Sequence, residues 1–154
     1  NRDWEHTGSG ASLLAAPFAT DAPLLVCYSD ILFRESVPVA LARCEADIAV
    51  AWDSAWEHRY AGREAADLSR CEKVLVNGTR IERLGADLPV DWADGEFVGL
   101  VRFSPRALEM LDRLRLDGPE SLRQEPKRGF LPPFQRWSTP GSCLMTADRW
   151  AGRT

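Results

Sequence analysis

The sequence lacks any apolar run near the ~20 residues that span a bilayer, so a transmembrane helix is excluded and no membrane partner is expected. It also lacks clustered basic residues, apart from the pair Lys127-Arg128, and its formal net charge is -4. Contact with a phosphate backbone needs such clusters, so no nucleic-acid partner is expected. The 154 residues, of which 45% are hydrophobic and 27% charged, suit one globular domain.

The cysteines do not follow the spacing of zinc ligands. The four of them, Cys27, Cys44, Cys71 and Cys143, are widely separated along the chain. A metal site built from them is therefore not expected, and free cysteines in such positions behave as small hydrophobic residues. With no visible signal peptide, this predicts reduced core or near-core thiols in a cytoplasmic protein.

The first half of the chain shows a strand-helix-strand pattern. Apolar residues from Leu24 to Tyr28 indicate a buried strand, and Ser36 begins a helix with Pro38 in its first turn. A second apolar run, Asp47–Trp52, indicates the next strand. Strands joined by such a crossover run parallel, so the sequence predicts an α/β domain with a mainly parallel sheet and helices on both sides.

The second half begins with a predicted β-hairpin. Asn77-Gly78 separates the runs Lys73–Val76 and Thr79–Gly85, and this dipeptide readily adopts the positive φ of a tight turn. Glu96–Phe103 indicates a further strand, in which Gly99 suggests a bulge or the close approach of another group. Ser104-Pro105 then opens a helix, and no element is predicted after about Phe130.

Three acidic positions are candidate site residues. Asp30 follows the first strand and Asp53 follows the second, and ligands of open α/β sheets bind at this edge. Trp52 and Trp56 flank Asp53, and Glu96 begins the glycine-containing strand. Each has an alternative interpretation, since Asp30 could cap a turn, Glu96 could be solvated, and the tryptophans could pack in the core.

Several segments match one known family in the family's own order. They are Asn1–Thr7 leading to Ser12-Leu13-Leu14, Tyr28-Ser29-Asp30, the acid after Ala51-Trp52, Glu72-Lys73-Val74, Ile81 to Gly85, and Gly95-Glu96-Phe97. In this combination the chain resembles the nucleotidyltransferases that make activated sugars, phosphocholine or aminoalkylphosphonate products, including phosphocholine cytidylyltransferases and domains fused to phosphoenolpyruvate mutases. The resemblance extends from about Asn1 to Phe103.

The resemblance implies a three-layer, Rossmann-like domain that transfers a nucleotidyl group from CTP or UTP to a phosphorylated or phosphonate acceptor. Asp30 would bind Mg²⁺, which neutralises the charge of two anionic reactants. Lys73 could help to hold an anion, although an exposed hairpin residue is the alternative. Glu96 and Asp53 would face the acceptor, and Trp52 and Trp56 could cage a choline-like amine by cation–π contact.

The sequence also departs from the family. The glycine-rich triphosphate loop is not found, because Gly8-Ser9-Gly10 has no preceding apolar strand and no following basic residue. We therefore expect a partial domain over residues 1–130, incomplete or inactive alone, with an irregular tail over residues 131–154. A non-catalytic module that binds a small ligand or supports assembly is the alternative. An exposed sheet edge would favour a homodimer.

Overall fold

The computed structural model describes residues 1–2, 5–6, 8–117 and 142–146. The helices are α1 (Ser9–Ala15), α2 (Ser36–Ala42), α3 (Ala65–Arg70) and α4 (Pro105–Asp117), with 3₁₀ turns at Trp56–Tyr60 and Val90–Trp92. The strands are β1 (Leu24–Cys27), β2 (Ile48–Asp53), β3 (Lys73–Asn77), β4 (Arg80–Gly85), β5 (Gly95–Phe103) and β6 (Ser142–Thr146). None of these helices is long and apolar enough to cross a membrane.

The long strand β5 holds the sheet together. One of its edges pairs along its length with β2, and its other edge pairs first with β3 and then with β1. The β3–β4 hairpin extends the sheet on the β3 side, and β6 pairs with β2. Every other strand except β4 and β6 is therefore hydrogen-bonded directly to β5.

The predicted α/β class and the three layers are confirmed. Alternate residues of β2 face opposite sides of the sheet, as the twofold repeat of a strand requires. Val50 packs with side chains from α1 and α4, including Leu13 and Leu108, in the larger core cluster. Ala49 packs on the other face with Leu41 of α2. Helices thus cover both faces of the sheet.

The prediction of a mainly parallel sheet needs correction. β1 and β2 do run in the same direction, as the crossover predicts, but they are not neighbours because β5 lies between them and runs antiparallel to both. Four of the five pairings among the described strands are antiparallel, and only β2 with β6 is parallel. Local sequence patterns indicate where strands lie and leave their order in the sheet open.

The predicted hairpin and bulge are present. Gly78 has a φ of +61° in the turn between β3 and β4. In β5, Val98 and Gly99 have no partner in β2, because Ala51 is paired with Leu100 and the next residue of β2 with Phe97. Two extra residues preserve the alternation of side chains between faces, so the core packing continues on both sides of the bulge.

One strand was not expected. β6 lies within residues 131–154, where the sequence indicated an irregular tail, and it adds a parallel partner to the outer edge of β2. The remainder of that tail lies outside the described residues. On the other side of the sheet, β1 has β5 as its one strand neighbour in the described part of the chain. The predicted homodimer depends on that edge and stays a prediction.

Cys27, Cys44 and Cys71 are free thiols, as predicted, but they differ in environment. Cys44 and Cys71 are buried, and Cys44 belongs to the core cluster beneath α2. Cys27 is exposed, because the residues of β1 alternate between partly buried and exposed. Its position on the outer face of the strand corrects the prediction of a core or near-core residue.

The bulge glycine provides a test of this packing. Gly99 has a φ of +80°, and an added Cβ would lie 2.6 Å from Cδ2 of Tyr28. Gly62 has a similar φ of +84° but nothing within 4 Å of an added Cβ. We expect Gly62→Ala to lower the free energy of unfolding by about 1 kcal/mol, the cost of a left-handed residue.

Gly99→Ala should cost a further ~1–3 kcal/mol, because the new methyl group overlaps the Tyr28 ring. Urea denaturation of the two variants measures the difference. Equal losses for both would show that Tyr28 does not pack against the bulge as described.

Candidate functional site

A cleft of about 510 Å³ opens where β1 and β2 end and β5 begins. Because β5 is antiparallel to both other strands, its amino end lies at the same edge of the sheet as their carboxyl ends. The lining of the cleft combines acidic, basic and aromatic side chains with aliphatic ones. The lining residues are Tyr28, Asp30, Ile31, Leu32, Phe33, Val37, Asp53, Arg59, Arg70, Glu72, Glu96, Phe97, Val98 and Leu100.

Three acids predicted separately from the sequence meet in this cleft. Asp30 follows β1, Asp53 is the last residue of β2, and Glu96 is the second residue of β5. Asp53 and Glu96 are direct antiparallel partners in the sheet. Like charges in such a pair repel each other, so the pair needs a compensating cation.

Arg59 supplies that cation. Its Nη2 lies 2.5 Å from Oδ2 of Asp53 and 3.4 Å from Oε2 of Glu96. Arg59 belongs to the 3₁₀ turn Trp56–Tyr60 that follows β2. The chain therefore returns over the end of its own strand and places a guanidinium between the two carboxylates.

Further hydrogen bonds fix the same two acids. The phenol of Tyr60 donates to Oε1 of Glu96 at 2.6 Å, and the Ala55 amide donates to Oδ1 of Asp53 at 2.9 Å. Burial raises the pKa of Tyr60 well above its ordinary value, and the hydrogen bond and negative charge of Glu96 raise it further. Tyr60 therefore stays protonated and remains a donor at neutral pH.

A second tyrosine–glutamate pair lines the same cleft. The phenol of Tyr28 donates to Oε2 of Glu72 at 2.6 Å, and its oxygen lies 3.3 Å from Oγ of Ser9 in α1. The Tyr28 amide also donates to the carbonyl of Gly99 at 2.8 Å. Because Gly99 carries no side chain, the tyrosine ring can lie against the bulge and reach Glu72.

Asp30 differs from the other acids of the cleft because it is exposed. Within the described residues, no group of three or more His, Cys, Asp or Glu side chains is placed to hold a metal ion. Mg²⁺ is commonly held by one or two carboxylates together with substrate phosphates. An exposed carboxylate in a cleft is compatible with that mode of binding, so the chemistry of the donor set fits magnesium.

Lys73 is buried among backbone carbonyl groups and does not make the predicted contact with an anion in the cleft. Its side chain is 1% exposed and does not line the cleft. Its ammonium group lies within hydrogen-bonding distance of four backbone carbonyl oxygens, those of Leu68 at 3.4 Å, Ser69 at 3.2 Å, Cys71 at 3.0 Å and Ala86 at 2.8 Å. It thereby joins the end of α3 to the segment after β4. No contact in this geometry supports a catalytic role for it.

The two predicted cage tryptophans are also buried away from the cleft. Trp52 is 6% exposed and packs in the larger core cluster, and Trp56 is 2% exposed with its ring edge-on to Tyr60 at 6.0 Å. The open interpretation that they are packing residues agrees with this placement. The aromatic side chains that do line the cleft are those of Tyr28, Phe33 and Phe97.

Sequence reasoning assigned no individual role to several residues of the site. Arg59 and Tyr60 belong to a polar-aromatic loop after β2, and Glu72 is the entry to the hairpin. Arg59 and Glu72 line the cleft, and Tyr60 supports the lining from behind Glu96. The hydrogen-bonded pairs join residues that are far apart in the chain: Tyr60 and Glu96 are separated by 36 residues, and Tyr28 and Glu72 by 44. The one available signal was that the chain has just two tyrosines, each close to a predicted strand or its loop.

Comparison with solved structures identifies the fold. The structure of the inositol-1-phosphate CTP transferase from T. maritima superposes with a TM-score of 0.64 at 17% sequence identity. The match covers 92% of this chain and 52% of that protein, so the chain spans about half of its length. The fold is nucleotidyltransferase-like. No family model and no curated protein matches the sequence.

Titration of the tyrosines tests the environment of Glu96. We expect the ultraviolet absorbance of tyrosinate to show a group with a pKa well above 10.0 that is lost in Tyr60→Phe and retained in Tyr28→Phe. The folded-state pKa lies above the unfolded one, so this pair stabilises the protein fully below about pH 10, and the contribution is lost as pH rises further. Titration of Tyr60 at the ordinary pKa would contradict the buried pairing with Glu96.

Replacement of Lys73 tests its structural role. Lys73→Met keeps the length of the side chain and removes the donor from buried carbonyl groups, so we expect a loss of about 2–4 kcal/mol in the free energy of unfolding. Arg106→Met is the control, because Arg106 is 73% exposed in its 3.7 Å pair with Asp47 and should change stability little. Equal stability of the Lys73 variant and the wild type would refute the structural role.

Proposed function

We propose that this chain is a nucleotidyltransferase domain that transfers a nucleotidyl group from CTP or UTP to a phosphorylated or phosphonate acceptor. The observation that carries the proposal is the cleft itself. In a nucleotidyltransferase-like fold, it brings Asp30, Asp53 and Glu96 together at the strand ends where α/β sheets bind ligands. The volume of the cleft, about 510 Å³, lies within the ordinary range of small-molecule sites.

The charge of the lining supports a metal-dependent reaction. Four carboxylates and two arginines line the cleft, which gives a formal charge of -2. Two phosphorylated reactants would add to that negative charge, so their approach needs a cation. Asp30 would hold Mg²⁺ there with the reactant phosphates, and when bound the metal supplies charge neutralisation and alignment.

The remaining predicted residues would serve the acceptor. Asp53 and Glu96 are tied to Arg59 and Tyr60, so they form a rigid wall for the acceptor pocket. Phe33, which lines the cleft and is 39% exposed, would contact a choline-like amine in place of the buried tryptophans. In this reaction the acceptor phosphate is already anionic, so no general base is required.

A non-catalytic binding module is the second candidate. The described lining contains two arginines and no lysine to grip a triphosphate, and four of its side chains are acidic. Such a cleft could bind a small choline-like or phosphorylated ligand without reaction. This candidate predicts saturable binding of the acceptor and no affinity for a nucleotide.

Substitution of Asp30 tests the enzymatic proposal. Release of pyrophosphate from CTP or UTP, measured with magnesium and an acceptor such as phosphocholine, should fall roughly 100-fold or more in Asp30→Ala, because the metal loses its protein ligand. Asp21→Ala is the matched control, since Asp21 is exposed just before β1 and does not line the cleft. Turnover that is unchanged by Asp30→Ala would remove this residue from the mechanism.

A further inference from the structure

Arg59 covers the acids that it binds. Its side chain is 45% exposed, whereas those of Asp53 and Glu96 are only 9% and 18% exposed. A ligand that enters this part of the cleft therefore meets the guanidinium before it meets either carboxylate. This differs from direct contact between the acceptor and Glu96, which the family resemblance implied.

The two ion pairs also orient the guanidinium. Both contacts join the carboxylates to Nη2, so one corner of a planar group with five N–H donors is anchored. Glu96 is in turn held by Tyr60, and Asp53 by the Ala55 amide. A guanidinium held in this way presents its other donors in a fixed fork, which is the geometry that recognises phosphate oxygens.

The turn that carries Arg59 is anchored independently of these ion pairs. Trp56, at the start of the same turn, is 2% exposed, and its ring packs edge-on against Tyr60. The guanidinium of Arg63 lies over the ring of Tyr60, 5.4 Å from its centroid. These contacts hold the turn in place without Arg59. Anchoring of the turn therefore does not explain why a half-exposed arginine lies between two carboxylates.

We propose that Arg59 is the specificity-determining residue of the cleft and contacts the phosphate or phosphonate group of the ligand, while Asp53, Glu96 and Tyr60 are positioning residues. The inference rests on the proposed function for the class of ligand. The contact would select ligands with an anionic group over neutral or purely cationic analogues. Arg59 with its two acids carries a formal charge of -1, so Mg²⁺ held at Asp30 would offset the repulsion between this cluster and the ligand's phosphate.

Paired ligands test the role of Arg59. Calorimetric titrations with magnesium would use inorganic phosphate, phosphocholine, CTP and, as the ligand without phosphate, choline. We expect Arg59→Met to lower the affinity for phosphate and phosphocholine roughly 10- to 100-fold, which is the loss expected for hydrogen bonds to a charged group. The affinity for choline should be unchanged. Arg59→Lys should restore part of the affinity, because it returns the charge without the fork.

The source of the phosphate follows from the same titrations. If Arg59→Met binds phosphocholine more weakly and CTP as tightly as the wild type, the contact belongs to the acceptor. If it binds CTP more weakly and phosphocholine as tightly, the contact belongs to the nucleotide. Either supports Arg59 as a phosphate contact. Unchanged affinity of Arg59→Met for every phosphorylated ligand overturns the proposal, as does a wild-type chain that binds none of them.

Two further variants separate the role of Arg59 from a general effect of removing an arginine. Arg83→Met removes a surface arginine that pairs with Asp87 outside the cleft, so it should bind all ligands as the wild type does. Arg70→Met removes the other arginine of the lining, and a loss confined to that variant would overturn the assignment to Arg59.

Pyrophosphate release in the same preparations distinguishes the two proposals. If the wild type shows no turnover but Arg59→Met loses phosphate affinity, the Arg59 contact is supported and the enzymatic proposal is rejected. If the wild type turns over and Arg59→Met has the same KM for the acceptor and for the nucleotide, the enzymatic proposal is supported and the Arg59 contact is rejected. A raised KM for one of the two reactants, with a smaller change in kcat, is the expected result for a binding contact.

Discussion

The placement of β5 between β1 and β2 is the constraint on which the site depends. This strand is antiparallel to both neighbours, so its amino end meets their carboxyl ends and Glu96 lies opposite Asp53. Two carboxylates in such a pair would repel each other in the absence of Arg59. The turn after β2, which carries that arginine, therefore stabilises the sheet and also contributes a side chain to the cleft.

The bulge in β5 couples the core to the cleft. Val98 and Gly99 are left unpaired with β2, and the absence of a side chain at Gly99 lets the Tyr28 ring pack there and reach Glu72. Each of the chain's two tyrosines thus fixes a glutamate of the lining. Only Asp30 among the four acids is exposed, and this distinction assigns it the metal in our proposal, with the other acids as a rigid wall.

The sequence was informative wherever a local pattern has one physical cause. The apolar runs placed β1 and β2, Asn77-Gly78 placed the hairpin, and Gly99 placed the bulge, because turns with positive φ favour glycine. The order of the strands was not predictable, since pairing with β5 joins segments far apart in the chain. The burial of Lys73 was equally hidden, because its partners are backbone carbonyls that no side-chain pattern reveals. Trp52 could be assigned to core or cleft only once the facing element was known.

The central claim is that this cleft binds a nucleotide and a divalent metal at Asp30. Crystals grown with CTP and Mn²⁺, a magnesium substitute with a strong anomalous signal, test it most directly. Our account predicts an anomalous peak at the carboxylate of Asp30, with a nucleotide phosphate bound to the same ion. A peak elsewhere, or a nucleotide bound outside the cleft, would contradict it.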